Sequence, residues 1–376
     1  MKPRNSVGRR EFLKRAGMAA AGLGLIACAP AATPSPTPTK APAATPAANA
    51  TAAKPAASPA ALKPADVRAQ LYELAKKEGQ AVIYATGTSK DMDTYRQAFS
   101  KTYPGVEIKE WMGTNESITE KMTTEAKAGK TNADLFILPM AAWGDVIKGN
   151  LAEKWDTPER ANYPSDAVDP NGVWVLEHAA VHVISYNTQL VPAADAPKNY
   201  QDLLNPVFKG KLGLESESYS LFTQRVRVWG KEKTVDYFKK LAAQQPKLIK
   251  GHTTLADAVV SGEVWAAVNV FQHRVEELKG KGAPVKWVVD EPTGSEPQGV
   301  AITKGAPHPN AGKLLMDWLL SEEGQIVVYK DLKRYTARKG SSMPPELQVK
   351  VAFHGPDIAD ELAANVKVFK EIFGMI

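Results

Sequence analysis

The chain has 376 residues, and 47 lysines and arginines against 41 aspartates and glutamates give a net charge of +6. A single cysteine excludes an intrachain disulfide and any cysteine cluster for zinc or iron–sulfur. Residues 1–27 hold Lys2, Arg4, Arg9, Arg10, Lys14 and Arg15 against Glu11, a net of +5, and Lys40, Lys54 and Lys63 follow, so 6 − 5 − 3 leaves about −2 for residues 64–376. The basic balance is therefore concentrated near the N-terminus and gives no ground for a nucleic-acid partner.

The first 28 residues read as an export signal: a basic head, a short apolar run through Leu25-Ile26-Ala27, then Cys28. The run is too short for the roughly 20 apolar residues that a membrane-spanning helix needs. Arg9-Arg10-Glu11-Phe12-Leu13-Lys14 resembles a twin-arginine signal, with Gly8 where a serine or threonine is usual. Leu25-Ile26-Ala27-Cys28 resembles a lipobox, which implies cleavage after residue 27 and lipidation of Cys28. Residues 28–64 are rich in alanine, proline and threonine, and the nine prolines between 29 and 64 interrupt every potential helix. Such a composition is expected to be extended, a tether between a lipid anchor and a folded body.

From residue 65 onward, short apolar runs alternate with helical patterns. Val67, Leu71, Leu74 and Ala75 recur at helical spacing, and Ala81–Ala85 is a strand-length run. A helix fits 91–101, a strand Val106–Trp111, a helix 117–128 and a strand Ala133–Leu138. Later strands are expected at Val181–Tyr186, Lys211–Leu214 and Trp265–Val270, and a helix at 311–320. This alternation predicts an α/β body with parallel sheets.

An ordered set of motifs resembles the extracellular solute-binding proteins of ABC importers, in the branch holding ferric-iron, thiamine, phosphonate and polyamine binders. The set begins with Val82-Ile83-Tyr84-Ala85-Thr86, Phe99-x-x-x-Tyr103-Pro104-Gly105-Val106, Glu125-Ala126-Lys127-Ala128-Gly129 and Ala133-Asp134. It continues through Ile184-Ser185-Tyr186-Asn187-Thr188, Asp202–Lys211 and Ser261-Gly262-Glu263 to Gly305–Ala311 and Leu319–Gln325. The resemblance implies a two-lobed periplasmic-binding-protein-like fold of type 2 with a ligand cleft between the lobes. Lobe one would comprise 65–177, lobe two 178–297, and 298–376 would return to lobe one with the C-terminal helices. It also implies a monomer without a cofactor, which delivers a small organic solute to a permease in the cytoplasmic membrane served by cytoplasmic ATPases.

Loops at the carboxyl ends of parallel strands surround such a crevice. Candidate ligand contacts are accordingly Tyr84 in the first strand and Thr86, Gly87 and Thr88 after it, where Thr88-x-x-Asp91 has the form of a capping box. Thr114 and Asn115 follow the second strand, and Trp143 follows the third as a possible stacking surface. His178 lies near the proposed crossover, with His182 four residues on. In lobe two the candidates are Ser216, Ser218, Tyr219, Asn269 and Phe271.

Asn269-Val270-Phe271-Gln272-His273 departs from the adjacent tyrosines typical of ferric-binding members, since Val270 and Phe271 cannot ligate iron. The expected ligand is therefore a small organic solute with a polar or anionic end, with ferric iron as the alternative and no metal site assigned. Gly-x-Ser-x-Gly, His-Glu-x-x-His and Gly-x-x-x-x-Gly-Lys motifs are missing, which leaves a secreted enzyme, or a surface sensor or adhesion module, as readings of another class.

Overall fold

A computed structural model describes residues 63–376; the signal at 1–27, Cys28 and the tether up to residue 62 lie outside the described residues. In chain order the regular elements are α1 (Pro64–Glu78), β1 (Gln80–Ala85), α2 (Ser89–Thr102), β2 (Glu107–Met112), α3 (Asn115–Lys127), β3 (Leu135–Pro139), α4 (Trp143–Lys148), β4 (Ala152–Glu153) and β5 (Val175–Asn187). They continue with β6 (Leu212–Glu215), α5 (Tyr219–Trp229), α6 (Lys231–Ala243), β7 (Lys247–Ile249), α7 (His252–Ser261), β8 (Ala266–Phe271) and α8 (Gln272–Gly280). The last are β9 (Val285–Val288), β10 (Ser295–Thr303), α9 (Pro309–Leu320), α10 (Glu322–Ile326) and α11 (Ile358–Ile372). No described helix is long and apolar enough to cross a membrane.

Local chemistry sets the first unit. Pro64 begins α1, where its missing N–H costs nothing, and Gly79 ends it at φ 75°, a left-handed position that glycine occupies without strain. The chain then enters β1, which pairs in parallel with β2 and β3. Strand β10 continues this sheet antiparallel to β3. The second sheet pairs β6 in parallel with β7 and β8, while β8 and β9 run antiparallel to β5.

Strand β5 joins the two sheets. Val175–Val181 pairs with β10, whereas His182–Tyr186 pairs with β8 and Ile184–Asn187 with β9. All 13 of its residues are buried, as required of a strand covered on both faces. The two sheets meet where β5 and β10 cross, so the residues around His178–His182 and Ser295–Gln298 stand between them.

Each sheet has its own core. Trp143, Trp318, Phe99 and Phe136 are fully buried in the first. Phe222, Phe238, Tyr237 and Phe369 are fully or almost fully buried in the second. Helix α9 packs against α1, β1 and β10, and nine of its twelve residues are buried, all but Pro309, Asn310 and Lys313.

The last helix, expected to return to lobe one, packs against α5 and α6 as well as against the turn at Met140–Ala142. Phe369 of α11 is fully buried and packs edge-on against Tyr219, Phe222 and Phe238, with ring centroids 5.3, 6.0 and 6.1 Å away. Arg227 on α5 also pairs with Asp357 and Glu361. The aromatic face of α5 and α6 thus draws α11 into the second core, because burying Phe369 and Phe373 there covers apolar area that neither element hides alone.

Candidate functional site

On the side of the first sheet, β1 ends at Ala85 and the chain turns through Thr86, Gly87 and Thr88 into α2. Gly87 has φ 123°, which the turn requires of a residue without Cβ. Thr88 Oγ1 accepts from Asp91 N at 3.2 Å, and Asp91 Oδ2 accepts from Thr88 N at 3.1 Å, completing the capping box. The N–H groups of Ser89 and Lys90 in the first turn have no intrahelical acceptor, so this terminus offers donors to an anion. Replacing Thr88 by alanine is expected to lower stability by about 1 kcal/mol through loss of this cap; equilibrium urea unfolding measures it, and no change in midpoint would show that the box contributes nothing.

Behind that turn lies a chain of polar groups. The Thr86 hydroxyl donates to Gln298 Oε1 at 3.4 Å, and Gln298 is the register partner of His178 across β10 and β5. Arg334 donates to Asp91 Oδ2 at 2.9 Å and to His178 Nε2 at 3.0 Å. With Nε2 accepting, His178 Nδ1 carries the proton and donates to Glu177, which also receives the Tyr95 hydroxyl at 2.7 Å. Burial pulls the His178 pKa below its ordinary value and Arg334 adds to that pull, against Glu177. Burial works to raise the Glu177 pKa, and His178, Tyr95 and Arg334 outweigh it, so its carboxylate stays ionised.

The second sheet supplies the facing wall. Glu215, at the end of β6, accepts from Glu217 N at 2.7 Å and from Gly251 N at 3.1 Å. Burial raises its pKa above the ordinary carboxyl value, with Glu217 and Glu296 adding to the effect. Ser218 Oγ accepts from Asn269 Nδ2 at 2.9 Å, and the His252 ring bonds to the Asn269 carbonyl at 3.0 Å. Phe271 stacks on this layer, its ring centroid 4.0 Å from His252, 5.7 Å from His182 and 5.4 Å from His273. Burial pulls the His273 pKa down to about 3, with Arg334 and His178 the next contributors, which sets this residue of the β8–α8 junction against first-sheet groups.

The candidate residues divide by position. Thr86, Gly87, Thr88 and His178 gather on one side, and Ser218, Asn269 and Phe271 on the other. Ser216, half-buried, donates its N–H to Ile249 O at 3.1 Å beside Glu215. Thr114 caps α3 by accepting from Ser117 N at 3.2 Å, and Asn115 lines a cavity of about 910 Å³ with Glu116, Ala141, Ala142 and Leu362.

Two candidates, Tyr84 and Trp143, are buried by packing. Tyr84 is buried with its hydroxyl donating to Glu125 at 2.9 Å, its ring 5.4 Å from Trp111, and burial pushes its pKa up to about 12. Trp143 is fully buried, with its indole N–H donating to Leu138 O at 3.1 Å, so it is a floor of the first core and no stacking surface. Tyr219 is half-buried; its ring packs edge-on against Phe369, and burial, then Glu217 and Glu215, raise its pKa, so its hydroxyl lies beside the second wall. Tyr84 near the end of β1 and Trp143 at the start of α4 each satisfy the apolar face of the ring by covering their own core. Arg334, Glu296 and His252 escaped the sequence reading; Glu296 and His252 lie at element ends and Arg334 in the long connection between α10 and α11, where no periodicity marks them. The crowding of five of the six histidines, His178, His182, His252, His273 and His354, around the β5–β10 crossing is visible only in three dimensions.

Among the described residues no group of three or more His, Cys, Asp or Glu side chains is placed to hold a metal ion. Val270 is fully buried and Phe271 has no ligating atom, so the phenolate chemistry suited to ferric iron has no counterpart at this strand end.

Known proteins agree with this architecture. A protein of Haemophilus influenzae without assigned function is 27% identical over 273 residues, covering 68% of this chain and 77% of its own. A putative 2-aminoethylphosphonate-binding periplasmic protein of Salmonella typhi is 26% identical over 246 residues, 61% of this chain and 69% of its own. In structure, iron-bound HitA of Pseudomonas aeruginosa superposes with a TM-score of 0.66 at 20% identity, over 78% of this chain and 99% of that one. AfuA of Actinobacillus pleuropneumoniae, with fructose-6-phosphate bound, superposes with a TM-score of 0.64 at 22% identity, over 80% of this chain and all of that one. Residues 94–355 match the family described as bacterial extracellular solute-binding protein. With two sheets meeting at a polar crevice and that match spanning most of the body, the chain belongs to the bacterial extracellular solute-binding proteins, as the substrate-binding component of an ABC-type importer.

Proposed function

We propose that this chain captures a small organic solute whose anionic end lies against the Thr86–Thr88 turn, with the rest of the molecule between Phe271 and the Ser218–Asn269 pair. The observation that carries the reading is the opposition of a helix N-terminus with free N–H donors, backed by Arg334, to a wall whose strand end carries Asn269 and Phe271. Oxyanions suit such donors, and an aromatic face suits a carbon skeleton. The relatives named for 2-aminoethylphosphonate and the structure holding fructose-6-phosphate support an organic anion.

The lobe limits we propose are 65–177 and 178–297, with the return at 298 and α11 assigned to the second lobe. Contacts made to both lobes would bias an open–closed equilibrium, and the closed form would be recognised by the permease. Export by a twin-arginine-like signal, lipidation at Cys28 and display on the 28–64 tether belong to the same proposal and rest on the sequence. Ligand-dependent stabilisation tests the reading. In a thermal-shift screen of phosphonates, aliphatic and aromatic carboxylates, sugar phosphates, thiamine, polyamines and ferric citrate, an organic phosphonate, phosphate or carboxylate is expected to raise Tm. A ligand at 100 times its Kd stabilises by about 2.7 kcal/mol. Stabilisation by ferric iron or thiamine alone would overturn the proposal.

A further inference from the structure

Helix α11 touches both lobes, and the two contacts differ in kind. On the second lobe Phe369 is fully buried, and Val368, Ile372 and Phe373 pack against the same core. Asn365 Nδ2 donates to Thr223 Oγ1 at 3.3 Å. Arg227 of α5 donates to both carboxylate oxygens of Glu361, at 2.8 and 2.9 Å, and to Asp357 Oδ2 at 2.8 Å. A fork of this kind fixes direction as well as distance, and withdrawing one aromatic ring would expose on the order of 150–250 Å². The helix is therefore anchored to the second lobe.

On the first lobe its partners are small. Helix α11 lies against the turn at Met140–Ala142 and the start of α4, where the nearest atom to a Cβ built on Gly144 is the Cβ of Ala359, 3.9 Å away. Among the described residues no hydrogen bond or ion pair links α11 to residues 63–177. Cavities of about 910 and 460 Å³ flank the contact, the first lined by Asn115, Asp145 and Leu362, the second by Asp145, Ile147 and Asp360. Parting these surfaces would leave no buried polar group without its partner.

The position of the contact decides what it can do. Met140 follows β3 directly and Asn115 opens α3 after β2, so α11 meets the first lobe at the carboxyl ends of its parallel strands, on the flank of the crevice. The chain leading into α11 stays at the crossing of the sheets: Val351 pairs with Thr293, and His354 Nε2 lies 3.3 Å from Ser295 O. One end is thus held near the pivot, where a hinge rotation displaces atoms least, while the helix beyond it is carried with the second lobe.

We propose that α11 is a strap that travels with the second lobe and meets Met140–Gly144 only in the closed chain, so that losing this contact is a required step of opening. The inference rests on the reading of the chain as two lobes that open and close, and it holds whatever solute is carried.

A disulfide arrests that step. The Cβ atoms of disulfide-linked residues stand about 3.5–4.5 Å apart, a condition that Gly144→Cys with Ala359→Cys meets at 3.9 Å, and Cys28→Ser removes the one native thiol. For single-molecule energy transfer the full chain carries dyes on non-natural residues in place of Lys109 and Lys247, exposed positions on β2 and β7, the two outermost strands. Without solute, the chain reduced by dithiothreitol is expected to show two populations, and oxidation by copper phenanthroline is expected to deplete one of them at least tenfold. Ala359→Trp, in a chain without added cysteines, is expected to enrich that same population, because an indole does not fit the 3.9 Å approach. Two populations that survive oxidation would overturn the strap while leaving lobe opening intact. A single population in every form would overturn both. Thiols that do not pair under the oxidant would show that α11 is not seated on α4 and would overturn the strap alone. Reduced and oxidised samples are the same polypeptide, so a folding defect is common to both, and Ala359→Trp decides the matter where the cysteine pair fails to fold.

Discussion

Replacing Trp143 by alanine is expected to lower the free energy of unfolding by about 3–5 kcal/mol. The side chain is fully buried, with ring centroids of Phe136 at 5.3 Å and Trp174 at 6.1 Å. Its indole N–H satisfies the Leu138 carbonyl at 3.1 Å, so truncation opens a cavity and also strips a buried acceptor of its donor. Gly299 on β10 shows how tightly the ring is enclosed: a Cβ there would stand 2.9 Å from Trp143 Cζ2 and 2.7 Å from Met140 Sδ. Native stabilities of about 5–15 kcal/mol make such a loss a large fraction of the whole. Denaturant unfolding followed by far-ultraviolet circular dichroism measures it. Solute affinity measured well below the melting temperature should stay within about twofold, because the ring lies beneath the crevice. Lost affinity with unchanged stability would instead place the indole in the binding site.

The second large effect is a fall in stability on acidification. Burial pulls the pKa of His354 down to about 4, and that of His273 to about 3, from an ordinary value near 6.5. Below pH 6.5 the unfolded chain takes up protons that the folded chain refuses, so the stability these two contribute is complete above that pH and is lost as the pH falls toward 4 and 3. Asp317 acts in the opposite sense. Burial raises its pKa to about 6, against hydrogen bonds from Trp155 and Thr157, so its contribution is favourable at low pH and is lost as the pH rises through 6.

For these three groups alone the balance between pH 6 and 4 is two protons against one, about 1.4 kcal/mol per pH unit with stability declining toward acid. The shifts of His178 and His252, also lowered by burial, act in the same direction as the two histidines. His354→Gln is expected to reduce the slope by about one proton. Gln224, whose amide nitrogen lies 3.2 Å from His354 Nε2, keeps its bonds to Ser220 and Ser295 in that variant. Urea unfolding at half-unit pH intervals reads the slope directly, and a variant profile parallel to the native one would show that His354 takes up its proton in the folded state.

Much of the site's framework was legible before any tertiary information. The β1 turn with its Thr88-x-x-Asp91 box is local chemistry, because the groups that satisfy each other are three residues apart. Ser218 and Asn269 were legible as polar residues at strand ends, although their hydrogen bond spans 51 positions and no spacing announces it. Tyr84 and Trp143 are buried for one reason: a large aromatic beside a strand end or at a helix start can face the crevice or cover its own core, and the choice depends on partners such as Trp111 and Phe136. Glu296, His252 and Arg334 carried no signal, since charge and function at an isolated position have no periodicity.

The sequence by itself determined the alternation of helices and strands, the turn and cap after β1, the lack of any disulfide, and the ordered motifs of a solute-binding body. Those features depend on hydrogen bonds and apolar spacing within a few residues of each other. Only the tertiary structure decided that β5 runs through both sheets, that α11 joins the second core, and that Glu296 comes to lie between His182 and His252. These outcomes hang on contacts between residues tens to hundreds of positions apart, where burial of aromatic area and pairing of polar groups select one arrangement from many that the local pattern allows.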